Sequence, residues 1–143
     1  MASVRVTDEI LASVEDVWAC FEDFGDVAPF APGNPRVDME GRGVGAVRTI
    51  TLEDGARIRE RLEAFDAARK TFTYAMTESV FPFKDYRATV TLAAAGPGRT
   101  AIEWRSTFEP TSASAADVVG MIENLYRTFI AQLKQTAPRR ATR

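Results

Sequence analysis

Five extended segments divided by short turns occupy the middle of the chain, and they restrict its fold more than any other feature. They read "AVRTITL", "RIRERLEAF", "KTFTYAMTES", "DYRATVTLAAA" and "TAIEWRSTFE", all between Ala46 and Glu109. The links are Asp54-Gly55, "DAAR", "FPFK" and "GPG". Parallel neighbours need crossovers of a dozen or more residues, so links this short predict an antiparallel meander. Alternation then sorts the side chains by face. Phe72, Tyr74 and Met76 oppose Thr71, Thr73 and Thr77, and Tyr86, Ala88, Val90 and Leu92 oppose Arg87, Thr89 and Thr91. One face of the sheet must be covered.

The cover is supplied at the end of the chain. From about Ser114 to Gln135, Val118, Met121, Ile122, Leu125, Phe129 and Leu133 recur at helical spacing, with Ser114 and Asp117 as the capping pair. At the start, "SVRVTDEIL" alternates as a strand. "SVEDVWACFEDF" then brings Val14, Val17, Phe21 and Phe24 onto one helical face behind a Ser13–Asp16 cap. Prolines and glycines between residues 25 and 45 leave room for a second brief helical turn, a loop and a short strand near "RVDME". The predicted fold is α+β: a curved antiparallel sheet of about six strands wrapped around a long C-terminal helix, with two short helices after the first strand. A sheet curled around one helix leaves an incompletely filled concavity, a natural ligand cavity. Residues 1–136 are expected to form a single domain and residues 137–143, including "PRRATR", a frayed basic tail.

A chain of 143 residues with net charge −2 is long enough for one core and has no global attraction to nucleic acid. The absence of histidine removes the Ser/His/Asp triad, the Cys/His nucleophile and the ordinary zinc site, and a single cysteine, Cys20, cannot form an internal disulfide. No metal or cofactor is expected. The N-terminus lacks a signal-like apolar run, and no stretch approaches the roughly 20 apolar residues of a membrane span, so a cytoplasmic protein without stable membrane insertion is expected.

Against this background, Glu60 is out of place. In "RIRERLEAF" it shares a row with Ile58, Leu62 and Ala64, while Arg57, Arg59, Arg61 and Glu63 take the other face. In "AVRTITL" the row Ala46, Arg48, Ile50, Leu52 likewise carries one charge. If "EDG" is a three-residue loop with Gly55 left-handed, Ile50 faces Ile58 and Arg48 faces Glu60. A two-residue loop would put Thr49 opposite Glu60 instead. Such a pair is either a structural ion pair beneath the sheet or a polar anchor that orients a ligand in an apolar cavity. Tyr74 and Tyr86 are available beside it as hydrogen-bonding groups or as packing residues.

The segment "VGAVRTITLEDGARIRERLEAFDAARKTFTYAM", then "DYRATVTL" and "EWRSTFEP" before the long helix, resembles the START-like helix-grip superfamily, also called SRPBCC. Within it the chain is most similar to the bacterial polyketide cyclase/dehydrase and lipid-transport group and, more distantly, to the plant abscisic acid receptors. The opening "ASVEDVWACFEDFGDVAPFAPG" fits the same superfamily, so the resemblance spans nearly the whole chain. It implies a deep pocket between sheet and C-terminal helix, with Glu60, Tyr74, Met76 and Tyr86 facing it; alternation puts Arg48 and Ala88 on the same face. Met121, Leu125 and Phe129 would close it. It also points Arg105 inward, whereas plain alternation buries Trp104 with Ile102 and Phe108; a bulge would reconcile the two. The receptors' gate corresponds to Asp54 and Gly55 in "EDGAR", and their latch to Phe81, Pro82 and Phe83. Both motifs depart from the receptor pattern, which argues against hormone-gated phosphatase binding.

Three functions are compatible with this reading. The first is binding or transport of a small hydrophobic molecule such as a lipid, isoprenoid or polyketide-like compound. The second is a cyclase/dehydrase-type enzyme, with Glu60 as the candidate catalytic residue moving protons. The third is a protein-interaction module, a homodimer included, presenting the apolar loop "SVFPFK".

Overall fold

The computed structural model describes residues 1–140. Seven strands and two helices follow in order: β1 (Ala2–Ile10), α1 (Val14–Ala19), β2 (Arg36–Glu40), β3 (Val47–Thr51), β4 (Arg57–Asp66), β5 (Thr71–Glu78), β6 (Phe83–Gly96), β7 (Arg99–Pro110) and α2 (Ala115–Arg140). The strands form one antiparallel sheet in the order β1-β7-β6-β5-β4-β3-β2. β3 to β7 are the expected meander, the expected short strand β2 extends it by pairing with β3, and β1 returns to pair along β7 from Ala2–Phe108 to Ile10–Thr100. The sheet is thereby one strand wider than the meander and its first strand alone suggest.

Both helix starts carry the expected caps. The Asp16 N–H donates to Ser13 Oγ at 3.2 Å, and the Asp117 N–H donates to Ser114 Oγ at 3.1 Å. The second helical turn after α1 is a single hydrogen-bonded turn in which the Ala31 N–H donates to the Val27 carbonyl at 2.8 Å. Pro29, Pro32 and Pro35 remove amide donors around it, so the turn does not propagate.

The far end of α2 corrects the expected domain boundary. The helix runs through Pro138 to Arg140, and Ala137 is fully buried rather than part of a frayed tail. Pro138 removes one hydrogen bond near the helix end, but Leu133 and Ala137 remain buried, and Lys134 Nζ reaches Asp8 of β1 at 2.8 Å. The remainder of the anticipated tail, 141–143, lies outside the described residues.

The core sits between α2 and the concave sheet face. Val118, Ile122, Tyr126, Ile130, Leu133 and Ala137 form the buried row of α2, against Val90, Ile102, Trp104 and Phe108 of the sheet. Four irregularities bend the sheet, in the β4–β5 pairing at Arg59/Glu60 and Leu62/Ala64, and in the β6–β7 pairing at Lys84/Arg87 and Ala94/Gly96. The second of these inverts the alternation of β4. Ala64 is consequently exposed, and Phe65 turns toward Trp18, ring centroids 5.2 Å apart. At the third, Asp85 adopts φ 53°, and Tyr86 next to it is buried in the concavity.

Candidate ligand cavity

The concavity is not completely filled. A cavity of about 240 Å³ lies between β3–β5 and α2. Ile50, Leu52, Ile58, Tyr74 and Met76 form its sheet wall, and Leu125, Thr128 and Phe129 form its helix wall. A third side comes from the irregular segment before β2, through Val27, Phe30, Ala31, Pro32 and Pro35. Met76, Phe81, Tyr86, Leu125 and Thr128 also line an adjoining cavity of about 210 Å³, which is completed by Phe83, Met121, Ile122 and Asn124.

Arg48 and Glu60 line the larger cavity. The β3–β4 turn fixes their register: the Gly55 N–H donates to the Leu52 carbonyl, the Leu52 N–H donates to the Ala56 carbonyl, and Gly55 sits at φ 86°. The loop thus contains three residues, and Arg48 pairs directly with Glu60 across the strands. Arg48 Nε donates to Glu60 Oε1 at 2.8 Å, with side-chain exposures of 5% and 8%. Its Nη1 donates to the Phe24 carbonyl at 3.1 Å. The guanidinium lies 4.0 Å from the Phe24 ring centroid and 5.2 Å from that of Tyr74, so aromatic faces replace much of its lost hydration.

Beside the ion pair stand the chain's three tyrosines. The Trp104 indole N–H donates to the Tyr74 hydroxyl at 3.2 Å, and the Tyr86 and Tyr126 hydroxyls are hydrogen-bonded to each other. Burial pushes the Tyr74 phenol well above its ordinary range, and the nearby Glu60 charge pushes it further. Burial likewise raises Tyr86 and Tyr126, with Tyr74 adding to both. All three remain neutral at physiological pH, which makes them hydrogen-bonding groups rather than bases.

The remaining expected residues divide clearly. Met76, Leu125 and Phe129 line the larger cavity, while Met121 lines the adjoining one and is 38% exposed. Ala88 is fully buried in the core and lines neither. Arg105 is on the outer face: it pairs with Arg5 of β1, its side chain is 50% exposed, and its Nη1 contacts Glu103 at 2.6 Å. No register shift interrupts β7 against β1 there, so simple alternation applies and Trp104 is the buried neighbour. At the mouth, Phe81 and Phe83 stack with centroids 5.5 Å apart, so the apolar loop folds inward and leaves Val80 as its exposed apolar residue. Asp54 lines a shallow outer depression with Pro32, Gly33, Pro35, Leu52 and Glu53, whereas neither Gly55 nor Pro82 lines a cavity wall. Of that turn, Leu52 reaches the cavity.

Sequence reasoning missed the wall from Val27 to Pro35, whose turns have no periodicity to read. It also missed Tyr126, although the four-residue spacing from Ile122 to Tyr126 to Ile130 placed it on the buried row. Among the described residues, no cluster of potential ligands could hold a metal ion, and no helix is long and apolar enough to cross a membrane.

A curved antiparallel sheet gripping a long helix above an apolar cavity with a polar floor defines a helix-grip domain. This chain belongs to the family described as polyketide cyclase / dehydrase and lipid transport, which it matches over residues 1–138. It is similar to the protein XoxI of Bacillus cereus, with 27% identity, 94% of each chain covered and a TM-score of 0.84. A protein of Thermobifida fusca is 22% identical over 97% of this chain and 95% of its own, with a TM-score of 0.86. Norcoclaurine synthase of Thalictrum flavum, solved with a transition-state analogue, shares the fold at 15% identity, covering 97% of this chain and 95% of its own, with a TM-score of 0.76. Among curated proteins none matches. Family and fold support a ligand-binding function.

Proposed function

We propose that this protein binds one small, mostly apolar molecule, a short isoprenoid or a polyketide-like ring compound, between the sheet and α2. The observation that carries this reading is the cavity itself: apolar walls with a floor of Arg48, Glu60, Tyr74 and Tyr86. Beside its 240 Å³ lies the adjoining cavity of about 210 Å³, which shares Met76, Phe81, Tyr86, Leu125 and Thr128 with it. That space suits a mono- or bicyclic ring system or a short isoprenoid. The floor supplies neutral donors and an ion pair, Arg48 with Glu60, which together can orient a ligand, and binding is the reading this arrangement supports.

The test is native mass spectrometry of the purified protein, followed by denaturing extraction of whatever co-purifies. A defined small adduct at near stoichiometry is expected, and it should be lost when Leu125→Trp fills the cavity. An adduct retained at full occupancy in that folded variant would place the ligand elsewhere and refute the proposal.

A further inference from the structure

We infer that the cavity selects uncharged ligands whose buried end is a hydrogen-bond acceptor, and that it rejects carboxylates of the same shape. This rests on the proposed binding function and adds its chemical selectivity. The first ground is charge. Among the described residues lining the two adjoining cavities, Arg48 and Glu60 are the only charged ones. They lie 2.8 Å apart on the same floor, so their charges cancel where a ligand would sit. A second guanidinium nitrogen is engaged as well: Nη1 donates to the Phe24 carbonyl, and the Phe24 ring covers one face. An entering carboxylate would lose its hydration without meeting an unneutralised cation, and it would lie beside the Glu60 charge. Burying an ion without a partner costs several kcal/mol, whereas a neutral ligand avoids that penalty. Glu60 therefore acts as a discriminator as well as a partner for Arg48.

The second ground is the direction of the hydrogen bonds. An indole N–H is a donor only, so Trp104 must occupy a lone pair of the Tyr74 oxygen. That leaves the Tyr74 O–H as a donor, with the Tyr86 hydroxyl as its neighbour within the protein. Tyr74 lines the cavity and Trp104 lies behind it in the core, so the supporting bond comes from the protein side and biases the phenol toward donating. A ketone or quinone oxygen meets this donor; an alkyl end leaves it unused.

Three probes of one shape separate the possibilities: 2-acetylnaphthalene, 2-isopropenylnaphthalene and 2-naphthoate, titrated calorimetrically into the wild-type protein near neutral pH. The ketone should bind at least tenfold more tightly than the carboxylate. In Tyr74→Phe, the ratio of ketone to alkene affinity should fall about fivefold, the equivalent of one ordinary hydrogen bond. Comparing ratios cancels whatever the substitution does to the cavity as a whole. Naphthoate binding as tightly as the ketone would overturn the exclusion of anions, and an unchanged ketone-to-alkene ratio would overturn the role of Tyr74 as donor. Failure of all three probes, together with a protein that carries no adduct, would instead defeat the binding function on which the inference stands.

Discussion

Replacing Arg48 by methionine keeps much of the side-chain length and removes the charge. It deletes the 2.8 Å bond to Glu60, the 3.1 Å bond to the Phe24 carbonyl and the cation over the Phe24 ring, and it leaves Glu60 in a floor where its side chain is 8% exposed. Breaking a buried pair from one side typically costs about 3–5 kcal/mol, because the survivor is buried without compensation. The same range is expected for Glu60→Leu. The double variant R48M/E60L removes both charges and fills the floor with apolar groups, so it should lie within about 2 kcal/mol of wild type, giving a favourable coupling well above 1 kcal/mol. Urea unfolding followed by circular dichroism is the assay. With a slope of about 2 kcal/mol/M, a 4 kcal/mol loss moves the midpoint down by about 2 M in each single variant, and the double variant should recover most of that shift. If the double variant is destabilised by the sum of the singles, the two residues are not a coupled unit and the account of the floor fails.

The tyrosines give a pH prediction. Tyr74, Tyr86 and Tyr126 are the only tyrosines in the chain, and burial raises all three above the ordinary phenol value of about 10. The unfolded chain ionises near that value and the native protein does not. Their contribution to stability is thus complete below about pH 10 and is lost as pH rises beyond it. Near-ultraviolet absorbance should show no tyrosinate until the protein unfolds cooperatively in alkali; gradual ionisation with the fold intact would contradict their burial. Gly55→Ala tests the turn. At φ 86° a Cβ is strained even with nothing within 4 Å, so a loss of about 1–2 kcal/mol is expected with the fold unchanged. A neutral substitution, read by the same urea titration, would mean that the three-residue loop does not need a left-handed residue.

How far the sequence discloses this arrangement depends on which forces act locally. Strand alternation and the Asp54-Gly55 turn are short-range properties, and together they suffice to place Arg48 opposite Glu60. The same alternation orients Trp104 and Arg105 correctly because β7 is regular against β1. It fails at Ala64, where one extra residue on β4 inverts the faces, since a bulge is decided by pairing with β5 and leaves no mark in β4 alone. The end of α2 is hidden for a related reason: Pro138 reads locally as a stop, while the burial of Ala137 depends on packing that sequence pattern does not contain. Most elusive is the cavity's third wall, Val27–Pro35, which has no regular period and acquires its role only by lying across the open side of the sheet.

The bond between Trp104 and Tyr74 has an optical consequence. The chain has two tryptophans, and they stand in different surroundings. Trp18 contacts Phe65 and Phe72, away from the cavity lining, whereas Trp104 is one hydrogen bond behind it and stacked on Tyr126 at 5.3 Å. Any occupant that draws on the Tyr74 hydroxyl perturbs the indole through that bond, while Trp18 supplies a steady background. The protein therefore carries its own emission gauge of cavity occupancy, with an internal reference, and needs no dye to be read.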